Sequence, residues 1–304
     1  MSFASLGNGL LGTAQDTPHK TPRLAGHFDG NHALVPLLTP AVPAVTDQIK
    51  VATTLARAAN TALSVITPIS VPEQTPKTVG HNVIDDDDSA LLDWALEQTA
   101  DATAHLDGGF LYTRDIVTGV LRTVKTREID TLVLPSEPGG RLRKSITERI
   151  AAQADCDVVV VNGQAGYEQV ASMLLPIAGG PHSGLAADLA QSIAADCDAW
   201  IDILHIIEED ASEQRRTQAA TLVEEAAHRI ACPETTSTWV LEAEDVAEAI
   251  IDQSQYYGLT IMGAPTTGRL RRFIHGSTNH SVRASARSVV LSARNNSSRS
   301  SDAE

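Results

Sequence analysis

Lysine is scarce in this chain. Lys20, Lys50, Lys77, Lys125 and Lys144 are the full set in 304 residues, so arginine carries most of the positive charge. Acidic residues outnumber basic ones, and the formal net charge is −15. A field of that sign repels phosphate, which excludes a general affinity for nucleic acid or for anionic membranes. Acidic excess with little lysine and much alanine and threonine suggests a salt-adapted cytoplasm, with net charge keeping the protein soluble. An acidic mesophilic protein would show the same balance. Cysteine is nearly absent: Cys156, Cys197 and Cys232 are odd in number and widely spaced, with no Cys-x-x-Cys and no zinc-ligand spacing. They read as three buried, reduced thiols. No apolar run approaches the roughly 20 residues that cross a bilayer, and no basic-then-apolar leader opens the chain. A cytoplasmic protein without direct membrane insertion is expected.

Several motifs are missing as well. Nothing fits G-x-x-x-x-G-K-[ST], and Lys144-Ser145 lacks the glycine a phosphate loop needs before it. No G-x-G-x-x-G follows a first strand, and there is no G-x-S-x-G elbow. No Ser/His/Asp or Cys/His set can be assembled. The run Asp85-Asp86-Asp87-Asp88 lacks the interleaving of a calcium loop and reads as a solvated helix start. Enzymatic activity is therefore not expected, beyond at most slow ATP hydrolysis. No set of metal ligands is visible, and a need for Mg is undetermined.

What is present is alternation. Apolar runs at 33–38, 63–69, 110–113, 131–134 and 157–161 read as strands, with helices at 45–59 and 89–105 among the segments between them. Val158-Val159-Val160-Val161 is a continuous β-branched run, suited to a strand covered on both faces. The pattern then restarts. Strands at 172–177, 200–207, 236–241, 259–262 and 288–291 alternate with helices at 183–196, 217–230, 245–257 and 277–286. Strand–helix alternation in each half implies a parallel α/β sheet in each. The organisation expected is a flexible arm over 1–30, a first domain over 31–165, a second over 166–294 and a disordered tail over 295–304.

The halves share a local signature. Gly140-Arg141-Leu142-Arg143-Lys144-Ser145 parallels Gly268-Arg269-Leu270-Arg271-Arg272 and then Ser277. Each follows an apolar strand and precedes a helix and a terminal β-branched strand. Aligned so, the first half has no counterpart of Phe273-Ile274-His275-Gly276, and Leu134 stands for Gly263. The first half then reads as a degenerate copy, and the second holds any site. The alternative is two unrelated α/β domains that share a basic pentapeptide by chance.

The stretch from Ile261 to Ser277 looks like an anion cradle: a strand ending at Gly263, a basic loop, then Gly276-Ser277 opening a helix. Free amides at a helix start and the helix dipole favour a negative ligand. Gly276 permits close backbone approach, and Ser277 can cap the helix or donate to a phosphate oxygen. Arg269, Arg271 and Arg272 are candidates for phosphate neutralisation; a solvated loop with local salt bridges explains them equally well. His275 and His280 flank the Gly-Ser pair and read as surface residues.

This stretch resembles the nucleotide loop of the universal stress protein family. Gly263, Gly276 and Ser277 match that family's glycine, its later Gly and the Ser or Thr after it, while Thr266 stands where a second glycine is usual. Leu174-Leu175-Pro176-Ile177-Ala178-Gly179-Gly180 resembles the family's first strand and its turn, with Ala178 in place of an aspartate near adenine. Leu204-His205-Ile206-Ile207 resembles the end of its second strand, where backbone groups hold adenine. The resemblance implies two tandem, open, parallel five-stranded sheets flanked by helices, adenine nucleotide alpha hydrolase-like, each in the order 3-2-1-4-5. It implies ATP or another adenine nucleotide as ligand, held by Ala178, Gly179, Ile206, Gly263, Thr266, Gly276, Ser277 and Thr278. His205 reads as a packed strand residue, and His182 and Ser183 as the start and cap of a helix.

The last strand of each sheet would lie at an edge. Two apolar edges aggregate unless they are paired. Pairing 157–161 with 288–291 removes both and makes the chain an intrachain pseudo-dimer. Further association into a homodimer is left open by the sequence. The expected role is a stress-response sensor or adaptor that binds a nucleotide in its second domain. The alternative is an interaction module without nucleotide, regulating a membrane-transporter partner such as an amino-acid permease, because haloarchaeal sequences of this type occur beside or fused to such permeases.

Overall fold

Two β-branched runs meet at the centre of the molecule. The computed structural model describes Leu24, Phe28 and residues 30–72, 84–136, 144–163, 170–265 and 289–296. The first half contains β1 (His32–Pro36), α1 (Val42–Ala59), β2 (Ala62–Ser70), α2 (Asp86–Thr99), β3 (Leu106–Thr113), α3 (Ile116–Thr126), β4 (Thr131–Pro135), α4 (Ile146–Gln153) and β5 (Asp157–Asn162). The second contains β6 (Ser172–Pro176), α5 (Gly180–Cys197), β7 (Trp200–Ile207), α6 (Glu213–Ile230), a 3-10 turn (Pro233–Thr235), β8 (Thr236–Glu242), α7 (Val246–Ser254), β9 (Leu259–Gly263) and β10 (Val289–Arg294).

The strands form one sheet in the order β3-β2-β1-β4-β5-β10-β9-β6-β7-β8. Each half has the order 3-2-1-4-5, with every pairing inside a half parallel. The halves join through β5 and β10, antiparallel, with Val161 opposite Leu291 and Val159 opposite Ala293. This is the pairing that the two apolar edges predict. Val158 to Val161 are all buried, as a strand covered on both faces requires.

Side-chain contacts sort the helices. One core cluster joins α1, α2, α5 and α6 residues such as Leu55, Ala95, Leu189 and Ala226, and the other joins α3, α4 and α7 residues such as Val120, Ile150 and Ile250. The two helices that follow the first strand of each half, α1 and α5, pack on one another and are buried on most of their circumference. Arg57 of α1 clasps Asp196 of α5 with two bonds, Nε–Oδ1 at 3.0 Å and Nη2–Oδ2 at 2.6 Å.

Helix ends follow local chemistry. Asp85, Asp115, Ser145, Ser212 and Asp245 each accept a backbone N–H at an N-terminus. The aspartate run at 85–88 thus opens α2, as its composition predicts. Three expectations are corrected. The helix expected from 217 begins at Glu213, because Ser212 caps it. Asn295 and Asn296, assigned to the tail, are buried. Asn295 N donates to His182 Nδ1 at 3.1 Å, and Asn296 N donates to Asp157 Oδ1 at 3.0 Å. Of the cysteines only Cys156 is buried, and burial pushes its thiol up to about 12; Cys197 and Cys232 are partly exposed. Most of the N-terminal arm, the rest of the tail and the helix expected at 277–286 lie outside the described residues.

Candidate functional site

In a doubly wound sheet the chain leaves two neighbouring strands toward opposite faces, and the crevice beyond their carboxyl ends is the usual ligand position. Here that switch point lies between β1 and β4 in the first half and between β6 and β9 in the second.

In the second half β6 ends in the turn Ile177-Ala178-Gly179-Gly180. Gly179 and Gly180 have φ of +85° and +79°, values that a side chain would strain, so glycine is needed at both. Gly179 is the N-cap of α5 and makes no side-chain cap bond. Ser183, read from sequence as the cap, has another role: its Oγ accepts the Ala178 N–H at 3.1 Å and closes the turn. Gly263 ends β9 against the same place. A Cβ there would stand 3.0 Å from the carbonyl carbon of His182 and from the Ser183 nitrogen, so the missing side chain lets β9 touch the first turn of α5. Ala178, Gly179 and Gly263 are therefore gathered at one helix start.

Ile206 lies two strands over from β9, on β7. Its side chain is in the core, and its position borders a cleft of about 710 Å³ at the start of α6. Ser212, Arg215 and Val246 also line this cleft, with Glu208 and Asp210 at its acidic side. Sequence reading missed Ser212 and Arg215 because it started α6 a turn late. The signal available was a serine followed by a long run without Gly or Pro. His205, as expected, is packed in the strand: its Nδ1 lies 2.7 Å from Ile177 O, and desolvation holds its pKa below the ordinary histidine value. Thr266, Arg269, Arg271, Arg272, Gly276, Ser277 and Thr278 lie outside the described residues. Among the described residues no group of three or more His, Cys, Asp or Glu side chains could hold a metal.

In the first half the chain's own side chains occupy the β1/β4 switch point and the start of α4. At the β1/β4 switch point, Gln48 of α1 donates to Pro36 O at 3.1 Å and to Val133 O at 2.8 Å. At the start of α4, Ser145 Oγ accepts the Glu148 N–H at 3.1 Å while Glu148 Oε2 accepts the Ser145 N–H at 3.0 Å. That capping box places a carboxylate where an anion would otherwise sit. Register also corrects the alignment of the halves. Thr131 pairs with Ala33 in β1 as Leu259 pairs with Met173 in β6, so Gly263 corresponds to Pro135 and not to Leu134. With that shift, Gly140 and Gly268 each follow their strand by the same five residues.

The order 3-2-1-4-5 within each half is that of the adenine nucleotide alpha hydrolase-like fold. Residues 171–294 match the model of the universal stress protein family. None of the curated proteins matches the chain in sequence. Among solved structures, a universal stress protein from Archaeoglobus fulgidus DSM 4304 superposes with a TM-score of 0.58 at 13% identity, over 88% of this chain and 97% of its own. The cytoplasmic domain of a prokaryotic cation chloride cotransporter gives 0.55 at 13%, over 88% and 96%. A protein of unknown function from Pseudomonas aeruginosa PAO1 gives 0.53 at 14%, over 88% and 93%. These likenesses establish the two-half fold. Among the described residues no helix is long and apolar enough to cross a membrane.

Proposed function

We propose that the second half binds an adenine nucleotide beyond the carboxyl ends of β6, β7 and β9, and that the chain serves as a cytoplasmic stress-response sensor or adaptor. The observation that carries this reading is the contrast between the two switch points. The first is filled by Gln48 and by the Ser145–Glu148 box. In the second, Ala186 occupies the helical position of Gln48 and has no polar tip, and His280 stands in sequence where Glu148 stands. The cleft beside Ile206 is of a size that suits a nucleoside, and Arg215 lines it beside Glu208 and Asp210. Gly276-Ser277, with Thr278, would hold phosphates on helix amides, with Arg269, Arg271 and Arg272 neutralising them. Thr266 and Ala178 would take the places of a glycine and an aspartate common in the family.

Titration calorimetry of the full chain with ATP, ADP, AMP and cyclic AMP tests this. Heat and a rise in Tm with at least one of them are expected; no response to any of them refutes the reading.

A second reading has a specific support. The same two-half architecture occurs in the cytoplasmic domain of a cation chloride cotransporter, which favours a role as a module that regulates a membrane transporter without nucleotide. Recovery of a transporter by affinity capture, from protein that gives no calorimetric signal, would select it. The salt-adapted character is likewise a proposal, supported by the net charge of −15 and the five lysines. Melting in dilute buffer and in molar potassium chloride decides it, with a large gain in salt expected.

A further inference from the structure

The helices α1 and α5 end alike. Each is capped by a left-handed residue, Asn60 or Asp198, whose N–H returns to Ala56 or Ala194. Counting back from these caps sets Lys50 on Asp188 and Thr53 on Gln191. The buried faces of α2 and α6 also superpose, with Leu92 on Val223, Ala95 on Ala226 and Thr99 on Ile230, which sets Gln98 on Arg229.

In the second half these positions zip the two helices together. Asp188 and Arg229 form a two-pronged pair, Nε–Oδ1 at 2.6 Å and Nη2–Oδ2 at 2.8 Å, with side chains 9% and 22% exposed. Gln191 Nε2 donates to Ile230 O at 2.9 Å. In the first half the zip is absent. Lys50 stands where the carboxylate stands, Gln98 where the guanidinium stands, and Thr53 where the amide donor stands. Lys50 has no ion pair among the described residues. The Thr53 hydroxyl is buried without a hydrogen-bond partner, although Thr46, Thr99 and Thr123 all donate back to the carbonyl four residues earlier. The result is a groove of about 450 Å³ lined by Lys50, Thr53 and Gln98, walled by Ile49, Trp94 and Val170, and edged by Arg57 and its partner Asp196.

We infer that this groove is a binding site for a small amphipathic monocarboxylate, whose carboxylate pairs with Lys50 and whose apolar, planar body lies against Trp94. The charge supports the class: two cations and one carboxylate border the groove, an excess of one positive charge in a strongly acidic chain. The second half supports it too, because there the same pair of helices encloses a carboxylate of its own. A partly buried lysine facing an apolar wall favours a singly charged ligand over a phosphate, which brings more charge than one ammonium offsets. This site is separate from the nucleotide site and does not depend on it.

The full chain carrying Trp200→Phe and Trp239→Phe keeps Trp94 as its single indole. Phenylacetate should change Trp94 emission saturably, and neutral phenylacetamide should bind at least about tenfold more weakly. Lys50→Met should weaken phenylacetate by at least about tenfold, whereas Lys125→Met, on α3 of the other helical layer, should not. In the unaltered chain phenylacetate should slow alkylation of Cys197, which lines the groove, and leave Cys232 unaffected. The double variant Lys50→Asp/Gln98→Arg, which installs the ion pair of the second half, should raise Tm and abolish the response. Absence of both saturation and protection overturns the proposal. So does equal binding of the amide, or equal loss in Lys50→Met and Lys125→Met, or full binding by the double variant.

Discussion

The two halves share a strand order, a helix layering and even the left-handed caps of α1 and α5, yet they treat polar groups in opposite ways. The first half turns polar side chains toward its switch point: Gln48 bridges β1 and β4, and Ser145 with Glu148 seals the mouth of α4. Its α1/α2 groove is left open. The second half has small residues at the switch point and spends its polar pairs between α5 and α6, where Asp188, Arg229 and Gln191 close the gap. Backbone hydrogen bonding and apolar periodicity set the frame in both. The placement of a few polar residues at equivalent positions then decides whether the gap between paired helices is closed by an ion pair or left as a groove.

Breaking the α5/α6 zip should have the largest effect. Asp188 is buried and also accepts the Phe28 N–H at 2.8 Å. Asp188→Ala should cost about 3 kcal/mol, because it strands the Arg229 charge. Lys50→Ala at the equivalent place should stay within about 0.5 kcal/mol. Urea denaturation midpoints compare the two, and equal losses would erase the contrast. Next comes the proposed nucleotide mouth. Gly276→Asp should lower nucleotide affinity about 100-fold, near 2.7 kcal/mol, while Glu148→Gln in the sealed mouth should leave calorimetric binding unchanged. Gly263→Ala should then destabilise by about 1 to 2 kcal/mol, because its methyl would press on the backbone of His182 and Ser183. Pro135→Ala, where a Cβ already exists, should cost less.

Ser145→Ala should remove the α4 cap and cost about 1 kcal/mol with no effect on ligand binding. The smallest effect is a pH dependence confined to one half. Desolvation lowers the pKa of His205 in the folded state. The unfolded chain therefore takes up a proton that the native strand refuses, so stability should fall as pH drops below about 6.5. Tm followed from pH 7.5 to 5.5 should show this slope, and His205→Gln should flatten it. Thr67 occupies the same register position in β2 and does not titrate, so the first half contributes no such slope there.

The frame was legible because it depends on periodicity. Four successive valines mark a strand covered on both faces, and the need to hide two apolar edges implies the β5–β10 pairing. What the sequence hid depends on register and on distant partners. Leu134 looked like the counterpart of Gly263 until the β1–β4 and β6–β9 ladders showed the shift to Pro135. Ser183 looked like a cap, but a glycine turn took that position and freed its hydroxyl for Ala178. Gly263 matched a ligand-binding pattern, and a packing reason for it appeared only when α5 was seen against β9. Asn295 and Asn296 read as tail because their partners, Asp157 and His182, lie more than a hundred residues away.

A two-fold dimer built from one domain must accept every substitution twice, once on each side of its axis. Here the antiparallel ladder between β5 and β10 lies within a single polypeptide, so its two sides are written by different codons and need only fit each other. Dilution cannot part them by simple dissociation. A residue introduced beside one strand need not suit the other, which leaves either side of the seam free to specialise.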